Sequence, residues 1–166
     1  HGYIREWGME QCVRDARIAM IYEGTNGIQA LDLVGRKLKL NGGRAYQVFL
    51  EEISQFLNDT NSQEMLAFRK PLAKALEDLK LATAWLSNHG VSNPDNAGAA
   101  AVPYLNIFAL VAMGYIWARI AQLALKNSDD GGGTFGQEFY LNKLTTARYF
   151  FSHMIIDTAT LRQRVE

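Results

Sequence analysis

The stretch Arg44-Ala45-Tyr46-Gln47-Val48-Phe49-Leu50-Glu51-Glu52-Ile53-Ser54-Gln55-Phe56-Leu57 decides the fold class. Tyr46, Phe49, Leu50, Ile53, Phe56 and Leu57 recur at the i, i+3, i+4, i+7 spacing of an amphipathic helix, while Glu51, Glu52 and Gln55 fall on the opposite face. A helix with one apolar stripe must bury it against other elements, and the chain downstream supplies them. Asn61 followed by Glu64 resembles a capping box. Met65, Phe68, Leu72, Leu76, Leu79 and Leu86 then predict a second helix to about Asn88, kinked at Pro71 unless its first turn begins there. His89 to Asn96, with Gly90, Asn93 and Pro94, reads as a connection.

A long Ala-rich segment follows from about Ala97 to Lys126, with Leu105, Phe108, Val111, Ala112, Tyr115, Ala118, Ala121 and Leu125 as apolar positions. Its length matches a membrane span, but Pro103, Asn106, Arg119 and Gln122 interrupt it and the neighbouring amphipathic helices need a central partner. The expectation is therefore a core helix and no transmembrane segment. Asn127 to Gly136 is a polar, Gly-rich link. The last helix is predicted from about Gln137 to Arg164 on the stripe Tyr140, Leu144, Ala147, Phe151, Met154, Thr158 and Leu161. With no strand alternation anywhere, the expected fold is all-α: an up-down four-helix bundle over residues 41–166.

Upstream, Met9, Cys12, Val13, Ala16, Met20 and Ile21 mark a helix from about Met9 to Tyr22 that gives way at Glu23-Gly24. Thr25 is placed to cap a second helix carrying Ile28, Leu31, Leu33, Val34 and Leu38, with Asn41-Gly42-Gly43 as its stop. A helix pair over residues 1–40 thus precedes the bundle.

Apolar residues make up 48% of the 166 and charged residues 20%, ordinary proportions for a chain that buries a core. Seventeen basic residues balance seventeen acidic ones, so no net field draws the chain to nucleic acid or an anionic membrane. The single cysteine, Cys12, excludes an internal disulfide framework, and with no secretory signal the expected setting is cytoplasmic. The absence of an initiator Met before His1 suggests a start within a longer polypeptide.

Several motifs have plain structural readings. Gly131-Gly132-Gly133-Thr134-Phe135-Gly136 fits a dinucleotide-binding pattern, but no strand precedes it, so it reads as a link. His153 and Asp157 stand one turn apart without a third ligand, and no metal is expected. Cys12 has no nearby His to activate it and reads as a small packing residue. Phe49, Phe56, Trp85, Tyr104, Phe108, Trp117, Tyr149, Phe150 and Phe151 read as core. Arg119 and Arg148 lie within apolar faces, where a buried guanidinium would need an acidic partner such as Asp157.

The stretch that carries chemistry is Ile21-Tyr22-Glu23-Gly24-Thr25-Asn26-Gly27-Ile28-Gln29. Glu23 sits where a helix yields to a Gly-bearing turn, and the helix starting at Thr25 offers free N–H groups to an anionic group. Glu-Gly-Thr is also an ordinary stop-and-cap sequence, so from the residues alone a plain helix joint is the favoured reading.

Together with Gly2-Tyr3 and Arg14-Asp15-Ala16-Arg17-Ile18 upstream, this stretch resembles the closing segment of the flavin-dependent acyl-CoA dehydrogenases over residues 1 to about 38. Tyr104-Leu105-Asn106-Ile107-Phe108 and Lys143-Leu144-Thr145-Thr146-Ala147-Arg148-Tyr149-Phe150 resemble the extra carboxy-terminal helical domain of a larger-subunit branch, which includes enzymes acting on 3-methylthiopropanoyl-CoA. The resemblance implies that Glu23 is the base removing the α-proton of an acyl-CoA thioester while hydride passes to FAD. It places Gly24 and Tyr3 by the substrate and Thr25 and Asn26 by the flavin nucleotide. At Gly27 better-known members often carry Gln, so a side-chain contact to FAD does not transfer there. It further implies an electron-transfer flavoprotein as redox partner and a homo-oligomeric parent enzyme. The family's amino-terminal helical and middle β domains are not among these residues, so the chain alone is expected to be inactive and its first helices weakly held. The competing reading is a non-catalytic interaction or oligomerisation bundle.

Overall fold

The computed structural model describes residues 3–21, 25–90, 92–129 and 135–166. Every regular element among the described residues is helical. A 3₁₀ turn at Arg5–Trp7 leads into α1 (Glu10–Ile21) and α2 (Asn26–Gly35). A 3₁₀ run at Lys37–Gly43 then joins them to α3 (Arg44–Asp59), α4 (Leu66–Trp85), α5 (Pro94–Asp129), α6 (Gln137–Tyr149) and α7 (Thr158–Val165).

The centre is α5, which packs against α2, α4, α6 and α7. Its inward positions are Ala100, Ala101, Tyr104, Ile107, Val111, Ala118, Ala121 and Ala124. So many small residues let the surrounding helices approach closely, and Gly114 is the extreme case. A Cβ there would lie 2.7 Å from Ile155 Cδ1 and 3.2 Å from Leu72 Cδ1. The α5 side facing α3 is aromatic, with Phe108 stacked on Phe49 at 5.4 Å and Tyr115 edge-on to Phe56 at 5.5 Å. By length and composition α5 qualifies as membrane-spanning, and it lies here as the central helix of the bundle.

Buried polar groups along these contacts are paired. The Tyr104 hydroxyl, fully buried, lies 2.8 Å from Thr83 Oγ1, which itself donates to the Leu79 carbonyl at 2.7 Å. Tyr104 is therefore the donor, and burial pushes its phenol well above the usual range. Asp78 of α4 accepts from Thr158 Oγ1 and from Arg162 Nε, both at 3.0 Å, which ties α4 to α7. Among the described residues the Asp78–Arg162 pair is the one salt bridge that joins two helices of the bundle. Arg119, expected to be buried, is exposed and lies over the Tyr115 ring at 5.5 Å, and Arg148 and Asp157 are exposed too. Long cationic side chains escape an apolar helix face by extending to water.

Other differences from the sequence reading are local. The second helix ends at Gly35 rather than at Asn41. The 3₁₀ stretch that follows is broken by a kink: Leu40 is extended, and Asn41, Gly42 and Gly43, with φ values of 52°, 67° and 82°, are left-handed. Asn61 does not cap α4, because its amide donates to the Asn58 carbonyl and the helix starts beyond Met65. α4 continues through Pro71 in its second turn. The final helix is not uniform: a π turn at Phe150–Met154 and a 3₁₀ turn at Ile155–Asp157 separate α6 from α7. A π turn carries more residues per revolution than an α turn. The inward stripe therefore slips by one position, so that Phe150, Phe151 and Ile155 are buried while Met154 and Tyr149 face outward.

The two N-terminal helices differ in support. α2 buries Ala30 and Val34 in the same core as the bundle, whereas α1 buries nothing. Cys12 on α1 is accordingly exposed, not packed.

Replacing Gly114 by Val inserts a branched side chain where Ile155 and Leu72 already meet. The expected cost is about 1–3 kcal/mol of overpacking, read as a lower urea midpoint with an unchanged slope.

Candidate functional site

The joint between α1 and α2 is bracketed by Ile21 and Thr25. Tyr22, Glu23 and Gly24 lie outside the described residues, as do His1 and Gly2. Among the residues assigned from sequence, Thr25 occupies the N-cap position of α2 with φ −41° and ψ 172°, and Asn26 is the first helical residue; both are exposed. The Thr25 side chain makes no capping hydrogen bond, contrary to expectation, although its carbonyl accepts the first intrahelical bond from Gln29 N–H at 3.0 Å. The first-turn N–H groups of α2 thus have no intrahelical acceptor, and no acidic residue stands in that turn. Such an end suits an anionic group. Tyr3 precedes α1 and is 65% exposed. The twelve residues of α1, about 18 Å of helix, lie along the chain between it and Thr25.

The surface around this joint is apolar. Met9, Val13, Ile18, Met20 and Ile21 are exposed in or beside α1, Tyr3, Ile4 and Trp7 before it, and Ile28 and Leu31 on α2. Trp7 at 68% and Ile21 at 66% exposure are far outside the usual range for such side chains. So many large apolar side chains left exposed along one short stretch of chain suit a surface that another element covers. Polar side chains of α1 pair with one another, Arg14 with Glu10 and Gln11 and Gln11 with Asp15, although Glu10 Oε2 has no hydrogen-bond donor among the described residues. At the far end of α2, Arg36 donates two hydrogen bonds to Asp32 at 2.7 and 2.9 Å and Lys37 approaches at 3.2 Å. Those bonds pull the Asp32 carboxyl down to about 2.

Among the described residues no group of three or more His, Cys, Asp or Glu side chains is arranged to hold a metal. His153 is exposed, its ring 4.7 Å from that of Tyr149. Residues 130–134 of the Gly-rich link lie outside the described residues. The sequence reading passed over Arg69, Lys70 and Lys80, which the fold gathers at a cavity of about 530 Å³ between α3 and α4. Their recurrence on one side of α4 was the available signal.

Residues 49–166 match the family model described as acetyl-CoA dehydrogenase C-terminal like, and residues 1–39 match that of the acyl-CoA dehydrogenase C-terminal domain. A 3-methylmercaptopropionyl-CoA dehydrogenase of Ruegeria pomeroyi is 33% identical over 99% of this chain and 28% of its own length. A broad-specificity linear acyl-CoA dehydrogenase of Mycobacterium tuberculosis is 27% identical over 99% of the chain and 28% of its own. A butyryl-CoA dehydrogenase of Syntrophomonas wolfei is 27% identical over 93% and 26%. The chain therefore spans little more than a quarter of each of these relatives.

Because no side chain of α1 is buried, Cys12 should react with a thiol reagent in the native chain at the rate of a free cysteine, without denaturant. Protection by orders of magnitude would mean that α1 is covered.

Proposed function

Because this chain belongs to the acyl-CoA dehydrogenase family, as part of its carboxy-terminal region, we propose that it carries the catalytic-base segment of an FAD-dependent enzyme together with an appended helical bundle. The observation that supports this most directly is the contrast within the family-matched residues 1–39: α2 is packed on the bundle while α1 and the residues before it expose their apolar side chains. A self-sufficient helix joint would bury one face of α1. An exposed face beside a Glu-Gly-Thr turn suits a segment that completes its packing, and its active site, against the rest of a larger enzyme.

In this reading Glu23 takes the α-proton of an acyl-CoA thioester. The role needs a carboxylate held away from bulk water, because desolvation raises its basicity towards that of the carbon acid. Gly24, lacking a Cβ, lets the backbone lie close to the thioester, and Tyr3 contributes to the substrate wall. Thr25 and Asn26, exposed at the start of α2, bind the flavin nucleotide; the neutral, acid-free first turn fits a phosphate-bearing group there. When bound, FAD supplies the hydride acceptor for the β-carbon. Electrons then leave for an electron-transfer flavoprotein, the parent enzyme is a homo-oligomer, and its setting is cytoplasmic.

Two residues cannot hold a dinucleotide by themselves, so the isolated chain should be colourless after purification and inactive. Stoichiometric flavin absorbance would contradict that. In the parent enzyme, Glu23→Gln should keep the flavin bound and lower turnover roughly 10²- to 10⁴-fold, with loss of α-proton exchange into deuterated solvent. Exchange at the unmodified rate would remove Glu23 from the role.

A further inference from the structure

The side of α4 that faces away from the core meets α3 over a cavity of about 530 Å³. Ser54, Leu57 and Asn58 line it from α3, and Arg69, Lys70, Glu77 and Lys80 supply its charge from α4. Ala73, one turn beyond Arg69, also lines the cavity and leaves the space above it unfilled. Three cations against one carboxylate is a local excess of positive charge in a chain whose seventeen basic and seventeen acidic residues balance as a whole. None of the three is within salt-bridge distance of an acid among the described residues.

Arg69 is the informative member. Its Nε is shielded from solvent and has no hydrogen-bond partner among the described residues. That nitrogen is as far out of a ligand's reach as of water's, but the two terminal nitrogens of the same guanidinium are not shielded and likewise have no hydrogen-bond partner among the described residues, so they are free for an external acceptor. The guanidinium offers a planar fork that matches two oxygens of one tetrahedral anion, and Lys70 and Lys80 add point charges on either side. Carboxylate ligands would leave most of that charge unanswered, whereas a phosphate ester answers it with several oxygens. The volume exceeds what a single inorganic ion fills.

We propose that this α3–α4 groove binds a phosphate-bearing ligand of the diphosphate type, with Arg69 as the forked donor and Lys70 and Lys80 as flanking cations. The inference stands on the bundle alone and does not depend on the dehydrogenase reading, since no residue of 1–39 takes part.

Titration of the chain with pyrophosphate, with a nucleoside diphosphate and with sulfate, followed by amide chemical shifts, tests it. Saturable shifts confined to α3 and α4 are expected with the first two, weakening steeply with added salt, and the nucleoside diphosphate binding more tightly if the remaining volume takes a base and sugar. Arg69→Met should weaken pyrophosphate binding about tenfold or more and, in the absence of ligand, leave the melting temperature unchanged or raised, because an unsatisfied donor is removed. Lys80→Gln, at an exposed position, should weaken binding several-fold without touching the fold. Lys74→Gln, outside the groove, should do neither. Equal response to sulfate and pyrophosphate, or shifts that survive both Arg69→Met and Lys80→Gln, would overturn the proposal.

Discussion

Close approach around α5 is the constraint from which the rest of this structure follows. A helix enclosed by α2, α4, α6 and α7 is approached closely on so many sides because many of its inward positions are small. Ala100, Ala101, Ala118, Ala121 and Ala124 are such positions, and at Gly114 even a methyl group would collide with Ile155. Where α5 needs bulk it uses aromatics directed at α3, and where it needs polarity it uses Tyr104, whose hydroxyl is answered by Thr83. The π turn at Phe150–Met154 belongs to the same constraint, since it brings Phe150 and Ile155 to the place that Gly114 leaves open.

The bundle in turn supports the N-terminal segment unevenly. α2 rests on α5 through the shared core that includes Ala30 and Val34, and this holds Thr25 and Asn26 at an exposed helix start. α1 has no such support and presents its apolar side chains outward. The bundle helices α3 to α7 carry no residue of the proposed dehydrogenation site, whereas α2, packed on them, carries Thr25 and Asn26 at its exposed start.

Charge is also distributed by the packing. Asp78, Thr158 and Arg162 form a satisfied link between α4 and α7. On the same α4, Arg69 is left without a partner at the α3 groove. One helix thus holds a closed polar contact on one side and an open one on the other, and only the open one is free to meet a ligand.

The sequence alone determined that the chain is helical, where α3, α4 and α5 lie, and which face of α3 turns inward, because apolar spacing at the helical period is a local property of the residues. The helix that begins after Thr25 was legible for the same reason, whereas the roles given to Glu23, Gly24, Thr25 and Asn26 came from the family resemblance and not from spacing. Tertiary structure decided what local pattern cannot carry. The register slip that exposes Met154 depends on the hydrogen bonding of a π turn, and the exposure of Arg119 depends on which sides of α5 the other helices cover. The choice of Asp78 rather than Asp157 as the buried acid depends on α7 lying against α4. The α3–α4 groove was invisible for a similar reason, since a cavity is made by two helices and each sequence describes only one of its walls. Short-range periodicity is written in single segments, whereas pairing of charges and closure of cavities are settled between segments distant in the chain.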